Sequence, residues 1–369
     1  MRARTPMRAV ARALSLLAAG LVAPAAAREV APAPGAIGAG GRERPGWAGG
    51  PSAVVPQLSA TTWTSFARTT AVPPPSAAAD RAARVPAVAS ITTSPARPQA
   101  LSGAVGRARA EIVIDLATGR VLHEADADIP ARPASLAKLM TLELLFSAME
   151  GGVIGEATLI PVSQRAAAMP PTRLGLAAGS SIPAREAAFC LAVHSCNDVA
   201  AAVAEHLAGS EDLFAAAMTD RAQRLGLRST TFGNASGLPD PRNRSTARDL
   251  ALLGAGIMAR HPRMLQVLGT ARWGYGEASF RNTSRLIGTH ALIHGGKTGY
   301  VRESGYNMLA FAGAPDGRRV LAVVLGGATA DERDARVSAL VEAGIAAATR
   351  PVGAPRHAVL QAGHLSAAR

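Results

Sequence analysis

An α+β fold, with an antiparallel sheet assembled from both ends of one domain and helices packed on its faces, is what this chain predicts. Three observations carry the reading. Strand-like segments occur near residues 111–123 and again near 291–325. Helix formers fill the interval between them. The stretch they bound runs to roughly 240 residues, enough for one large core.

Glu111-Ile112-Val113-Ile114-Asp115 reads as a strand, Ala117-Thr118-Gly119 as a turn, and Val121-Leu122-His123 as the returning strand. After Pro130 and Pro133 an amphipathic helix is expected from about Ser135 to Met149, stopped by Gly151-Gly152. Ala184 to Val193 and Asp198 to Leu207 are strong helix formers that flank a break at Ser195. Leu213 to Leu225 is a further helix. A loop with Asn234, Gly237, Pro239 and Pro241 leads to a helix from Thr246 to Met258. Strands follow at Ala291 to Ile293, running towards Lys297, at Tyr306 to Ala312 and at Val320 to Leu325. A helix from Asp334 to Ala347 closes the domain.

The ends differ from this middle. Residues 1–27 begin with Arg2, Arg4, Arg8 and Arg12, continue as an apolar run from Ala13, and end Ala25-Ala26-Ala27. That pattern is a secretory signal peptide, and the run is shorter than the roughly 20 residues of a spanning helix. An uncleaved anchor is the alternative. Residues 28–106 are rich in Ala, Pro, Gly, Ser and Thr and show no periodicity, which predicts a disordered tether. The domain proper is placed at 107–350, with a short tail at 351–369. No segment after the signal reads as an integral membrane span, so a periplasmic or cell-envelope location is expected.

The formal charge of +13 divides unevenly. Arginines of the first 106 residues account for most of it, so the domain itself is only mildly basic. No basic-aromatic interleaving is present, and nucleic acid is not an expected partner. His290 and His294 precede a strand, where such spacing separates the rings, so no metal site is expected. No cofactor is expected either. Cys190 and Cys196, six apart in or beside one helix, are expected to be free buried thiols.

Only two lysines occur, Lys138 and Lys297, against 37 arginines. Arg does not release its proton in a protein, whereas a desolvated Lys does. Lys138 belongs to Ser135-Leu136-Ala137-Lys138. On a helix Ser135 and Lys138 share a face one turn apart. Lys138 is then placed to take the Ser135 proton and turn a poor nucleophile into a good one. Lys297 belongs to Lys297-Thr298-Gly299 on a strand. A cation and a hydroxyl there suit a substrate carboxylate, Gly299 admits a close backbone approach, and neighbouring N–H groups suit an oxyanion. Between them lies Ser195-Cys196-Asn197. Ser195 is a candidate proton relay and Asn197 a candidate holder of a substrate peptide group.

In order and spacing these motifs resemble the penicillin-recognising serine peptidases, and among them the low-molecular-mass penicillin-binding proteins that are D-alanyl-D-alanine carboxypeptidases. The resemblance runs from about Arg107 to Ala348. It includes Pro133 to Thr141, Asn234-Ala235-Ser236-Gly237-Leu238-Pro239, Ser245 to Asp249, and Gly296 to Tyr300 followed by Ser304-Gly305-Tyr306. It implies a β-lactamase/DD-peptidase-like fold and release of the terminal D-alanine from peptidoglycan stem peptides. Ser135 would be acylated, with Lys138 as base and Ser195 as relay. Asn197, Lys297 and Thr298 would bind substrate, and the N–H groups of Ser135 and Tyr300 would form the oxyanion hole. β-Lactams would acylate the same serine. The alternatives are an endopeptidase of D-alanyl cross-links, a class A β-lactamase, and a slow-turnover penicillin sensor. The β-lactamase reading lacks its Glu-x-x-Leu-Asn after Asn197. Cys196 occupies a slot where the family usually has a small residue. After Ala348 only a short tail follows, so attachment through the C-terminus is not expected.

Overall fold

A computed structural model describes residues 110–349. The signal peptide, tether and tail expected at 1–27, 28–106 and 351–369 lie outside the described residues. β1 (Ala110–Asp115) and β2 (Val121–Ala125) form the opening hairpin, and a 3-10 turn (Ala134–Ala137) leads into α1 (Lys138–Glu150). The middle runs β3 (Leu159–Pro161), α2 (Gln164–Ala167), β4 (Ser181–Pro183), α3 (Ala184–Phe189), a π-helical turn (Cys190–His194), α4 (Asn197–Ala208), α5 (Glu211–Arg224), α6 (Ala247–Arg260) and α7 (Met264–Leu268). Then come β5 (Arg272–Tyr275), β6 (Ala278–Arg281), β7 (Ile293–Val301), β8 (Gly305–Gly313), β9 (Arg319–Gly327) and α8 (Ala330–Ala347).

The main sheet has the order β2-β1-β9-β8-β7 with antiparallel pairing throughout. β1 therefore lies beside β9, its neighbour from the far end of the domain, as the sequence predicts. The period-2 alternation of a strand divides the apolar residues between two cores. Ile112, Ile114, Leu309, Phe311, Leu321 and Val323 face the helical middle. Val113, Met308, Ala310, Ala322 and Val324 face α8, meeting Val337, Leu340 and Val341. Both faces being covered, β8 and β9 read as continuous apolar runs. Among the described residues no helix is long and apolar enough to cross a membrane.

Local details depart from the sequence reading. The first helix is split: Ser135 sits in the 3-10 turn and α geometry begins at Lys138. The helix expected through Val193 leaves α geometry at Cys190, and the strand leading to Lys297 begins at Ile293. The short β3/β4 pair and the β5/β6 hairpin carry no sequence signal strong enough to predict. The expectation of free thiols is wrong. Cys190 and Cys196 form a disulfide, with Cα atoms 6.0 Å apart. On a continuous α-helix residues six apart point away from each other. Here the π turn, and Ser195 in left-handed backbone at φ 64° and ψ 37°, fold Cys196 back over Cys190.

Candidate active site

Ser135 sits in the 3-10 turn that leads into α1. Pro133 lacks an N–H, and Ala134 is held at φ 52°. Two glycines let other backbone segments reach this turn. A Cβ on Gly237, itself at φ 78°, would lie 1.9 Å from the Ala134 carbonyl oxygen. A Cβ on Gly299 would lie 3.0 Å from the Ser135 nitrogen. β7 thus runs directly against the backbone of Ser135, the placement expected of an oxyanion-binding strand.

Lys138 is fully buried. Its Nζ lies 3.2 Å from Ser135 Oγ, 2.8 Å from Asn197 Oδ1 and 2.6 Å from the Ser236 carbonyl oxygen. A neutral amine has two N–H bonds and one lone pair. The two carbonyl oxygens take the N–H bonds, which leaves the lone pair for the Ser135 hydroxyl. Burial, and then the nearby Lys297 cation, drive the Lys138 pKa well below its ordinary value against the pull of Glu211 and Asp198. Desolvation and a like charge both disfavour the ammonium form.

Lys297 is also fully buried and donates to Ser195 Oγ at 2.9 Å and to the Thr298 carbonyl at 3.0 Å. Its pKa falls to about 7, through burial first and the Arg333 charge second. Thr298 donates to Thr283 Oγ1 at 2.7 Å. Asn197 is the first residue of α4. Its amide donates to the carbonyls of Pro170 and Pro171, both at 3.0 Å, while its oxygen receives Lys138.

Ser135, Ser195, Asn197, Thr298, Gly299 and Tyr300 line one cleft of about 450 Å³. The lysine ends are buried behind it, and the Tyr300 ring, 54% exposed and in contact with Tyr306, marks its mouth. All eight residues singled out in the sequence therefore meet at one place. A second cavity of similar volume, around Arg165, Glu205 and His206, is lined by none of the eight. Among the described residues no cluster of His, Cys, Asp and Glu is arranged to hold a metal ion.

Several contributors were not singled out as site residues. Asn307 is fully buried in β8. Its amide donates to the carbonyls of Arg132 at 3.1 Å and Pro133 at 3.4 Å, and its oxygen receives the Gly326 N–H at 3.0 Å. It ties the turn before Ser135 to the sheet. A polar residue inside the apolar run Tyr306 to Ala312 is the signal that could have found it. Ser236 offers Lys138 only its main chain, and Glu211 accepts from the Ala235 N–H at 3.0 Å. Neither leaves a mark in the sequence beyond the Asn234 to Pro239 segment already noted.

With this geometry in hand, comparison with known proteins is informative. The family described as D-alanyl-D-alanine carboxypeptidase matches residues 96–329. The chain is 31% identical over 240 residues to D-alanyl-D-alanine carboxypeptidase DacF of Bacillus subtilis, covering 64% of this chain and 61% of that protein. It is 34% identical over 229 residues to DacC of Escherichia coli, covering 60% and 57%. The chain thus spans about three fifths of the length of these curated relatives. Among solved structures, D-alanyl-D-alanine carboxypeptidase DacD from Francisella tularensis superposes with a TM-score of 0.64 at 25% identity, covering 67% of this chain and 71% of that one. Penicillin-binding protein D2 from Listeria monocytogenes, in its ampicillin-bound form, gives 0.59 at 29% identity, covering 64% and 97%. The fold is that of the penicillin-binding DD-peptidases. The chain belongs to the D-alanyl-D-alanine carboxypeptidase family.

Proposed function

We propose that this protein is a serine-type D-alanyl-D-alanine carboxypeptidase that removes the terminal D-alanine from peptidoglycan stem peptides. The observation that carries the reading is the fully buried Lys138 amine, turned towards the Ser135 hydroxyl with both its N–H bonds engaged by carbonyls. Lys138 takes the Ser135 proton as Oγ attacks the penultimate D-alanine carbonyl. The oxyanion is received by the N–H groups of Ser135 and Tyr300, on the two segments that Gly299 allows to touch. Lys297 and Thr298 hold the terminal carboxylate, and Asn197 holds a substrate peptide group. Ser195, bonded to Lys297, relays a proton to the departing amine. Water then releases the shortened peptide from Ser135.

A β-lactam presents a carbonyl and a carboxylate in the same relation and acylates the same serine. The site acts in the cell envelope, after export directed by residues 1–27. The disulfide fits an oxidising compartment.

The test is to incubate the purified chain with a pentapeptide ending in D-Ala-D-Ala and assay free D-alanine. Release is expected, and Ser135→Ala should abolish both release and labelling by fluorescent penicillin. Labelling at full strength in that variant would remove Ser135 from the mechanism. Cleavage confined to cross-linked dimers would make the protein an endopeptidase.

A further inference from the structure

The disulfide closes a ring around the only left-handed residue of the cleft's serine pair. The Ser195 N–H donates to the Cys190 carbonyl at 2.8 Å, and the Cys190–Cys196 bridge closes the same turn a second time through the side chains. Both cysteines are fully buried. Ser195 sits at φ 64°, a conformation that a residue with a Cβ adopts only under restraint. That conformation aims its Oγ at Lys297 Nζ. The same turn reaches the other side of the cleft. The Val193 carbonyl accepts from the Thr283 N–H at 3.0 Å, and Thr283 in turn receives the Thr298 hydroxyl at 2.7 Å. On the far side of the bridge Asn197 begins α4 and meets Lys138.

We propose that the Cys190–Cys196 disulfide is a positioning element for the reaction. It holds Ser195 in its left-handed turn, at hydrogen-bond distance from Lys297, while Asn197 beyond it is held separately by Lys138 and the Pro170 and Pro171 carbonyls. Without the bridge only the Ser195 N–H bond to the Cys190 carbonyl still closes the turn, Ser195 relaxes towards ordinary backbone, and the relay to the leaving group fails more often than it succeeds. The nucleophile, the base and the carboxylate site stay where they are. The inference rests on the acyl-transfer reading of Ser135, and the experiment separates the two.

The experiment compares wild type with Cys190→Ala/Cys196→Ala, following acylation by a fluorescent penicillin in stopped flow and counting label per chain by mass. Acylation at saturating penicillin should slow by about tenfold, the cost of populating an unrestrained left-handed residue. Binding before acylation should change by less than about twofold, because the carboxylate site is intact. Label should still reach one per folded chain. A merely structural bridge predicts the reverse, a smaller labelled fraction with an unchanged rate per folded molecule, and that result overturns the proposal. Should the double variant fail to fold, Cys190→Ser, which removes the bridge and retains the Cys196 thiol, reads the same two quantities. Amide hydrogen exchange at Ser195 gives a readout free of chemistry: protection should drop in the variant, and full protection there would sink the clamp. A wild-type chain that never labels would overturn the acyl-transfer reading instead, while the exchange result would still decide whether the bridge holds Ser195.

Discussion

Helix α1 buries two charges, Lys138 and Glu143, and treats them in opposite ways. Glu143 is surrounded by cations. Arg221 reaches it at 2.7 Å, Arg260 at 2.8 Å and His261 at 3.3 Å. Burial pushes the Glu143 carboxyl up, but His261 and Arg260 outweigh it and hold the group well below the usual carboxylate range. Lys138, the first residue of the helix, has only neutral hydrogen-bond partners: a hydroxyl and two carbonyl oxygens. Of the charges that act on it, the buried Lys297 cation outweighs either Glu211 or Asp198, neither of which bonds to it. A buried charge with counter-ions is fixed in place and fixes its neighbours. A buried amine without them is poised to be neutral, and a neutral amine can accept a proton. The difference separates a charge that assembles the fold from one that takes part in chemistry.

The strongest way to break that distinction is Lys138→Arg. A guanidinium keeps the positive charge and cannot act as a base. Acylation by a fluorescent penicillin should fall on the order of 100- to 10,000-fold, the usual contribution of a positioned general base. Wild-type acylation in this variant would make Lys138 an electrostatic group and place the base elsewhere.

The matching change at the second buried charge is Glu143→Gln. It leaves Arg221, Arg260 and His261 facing a neutral amide, and removing one partner of a buried ionic cluster costs on the order of 3–5 kcal/mol. Urea unfolding should show that loss, whereas acylation per folded molecule should not change. The pH dependence sharpens the point. A carboxyl held below its ordinary value of 4.5 contributes stability that is present above that pH and drains away as pH falls. The variant's stability should therefore fall less steeply on acidification than that of wild type. A rate effect as large as the stability effect would mean that the two buried charges of α1 are not separable.

How much of this the sequence discloses follows from the range of each interaction. The three motifs are legible because each places its chemistry within a few residues: Ser135 with Lys138, Ser195 with Asn197, Lys297 with Thr298 and Gly299. The sheet is legible because apolar runs lie at both ends of the domain. The Cys190–Cys196 bridge is not, since it depends on a π turn and on a left-handed serine, and α-helical spacing argues against it. The Glu143 cluster is not, because its cations come from α5 and from the end of α6 and beyond, and only the fold brings them together. Asn307 grips the turn before Ser135 from 174 residues away.

That grip offers a smaller perturbation at the catalytic end. Asn307→Ala removes the hydrogen bonds that tie the Arg132 and Pro133 carbonyls to β8. The turn carrying Ser135 loses its anchor while the Ser135–Lys138 pair remains. A displacement of the nucleophile by a fraction of an ångström to about 1 Å should slow acylation by on the order of 10- to 100-fold. Asn307→Asp keeps the bond to the Gly326 N–H but faces the two carbonyls with a carboxylate, so it should not rescue the rate. Recovery in the Asp variant would assign the effect to the Gly326 contact rather than to the turn.

Lys297→Arg tests the second buried lysine and should be the mildest of the three changes that act on the rate. Lys297 is partly neutral near pH 7, because burial and Arg333 bring its pKa down to about 7. As pH rises through that value it loses the charge proposed to hold a substrate or β-lactam carboxylate, so wild-type acylation should decline on the alkaline side. On the acid side acylation should decline as Lys138 becomes protonated, since a charged amine has no lone pair for Ser135. Arg at 297 stays protonated throughout, so the alkaline decline should vanish while the acid limb stays. The guanidinium cannot reproduce the single short contact with Ser195, and losing about one charge-assisted hydrogen bond should lower the rate at neutral pH by about tenfold. The measurement is the pH profile of the acylation rate for both proteins with one β-lactam. An alkaline decline that persists in the Arg variant belongs to another group. A loss greater than that of Lys138→Arg would give Lys297 the leading part in proton transfer and reverse the order of the two lysines.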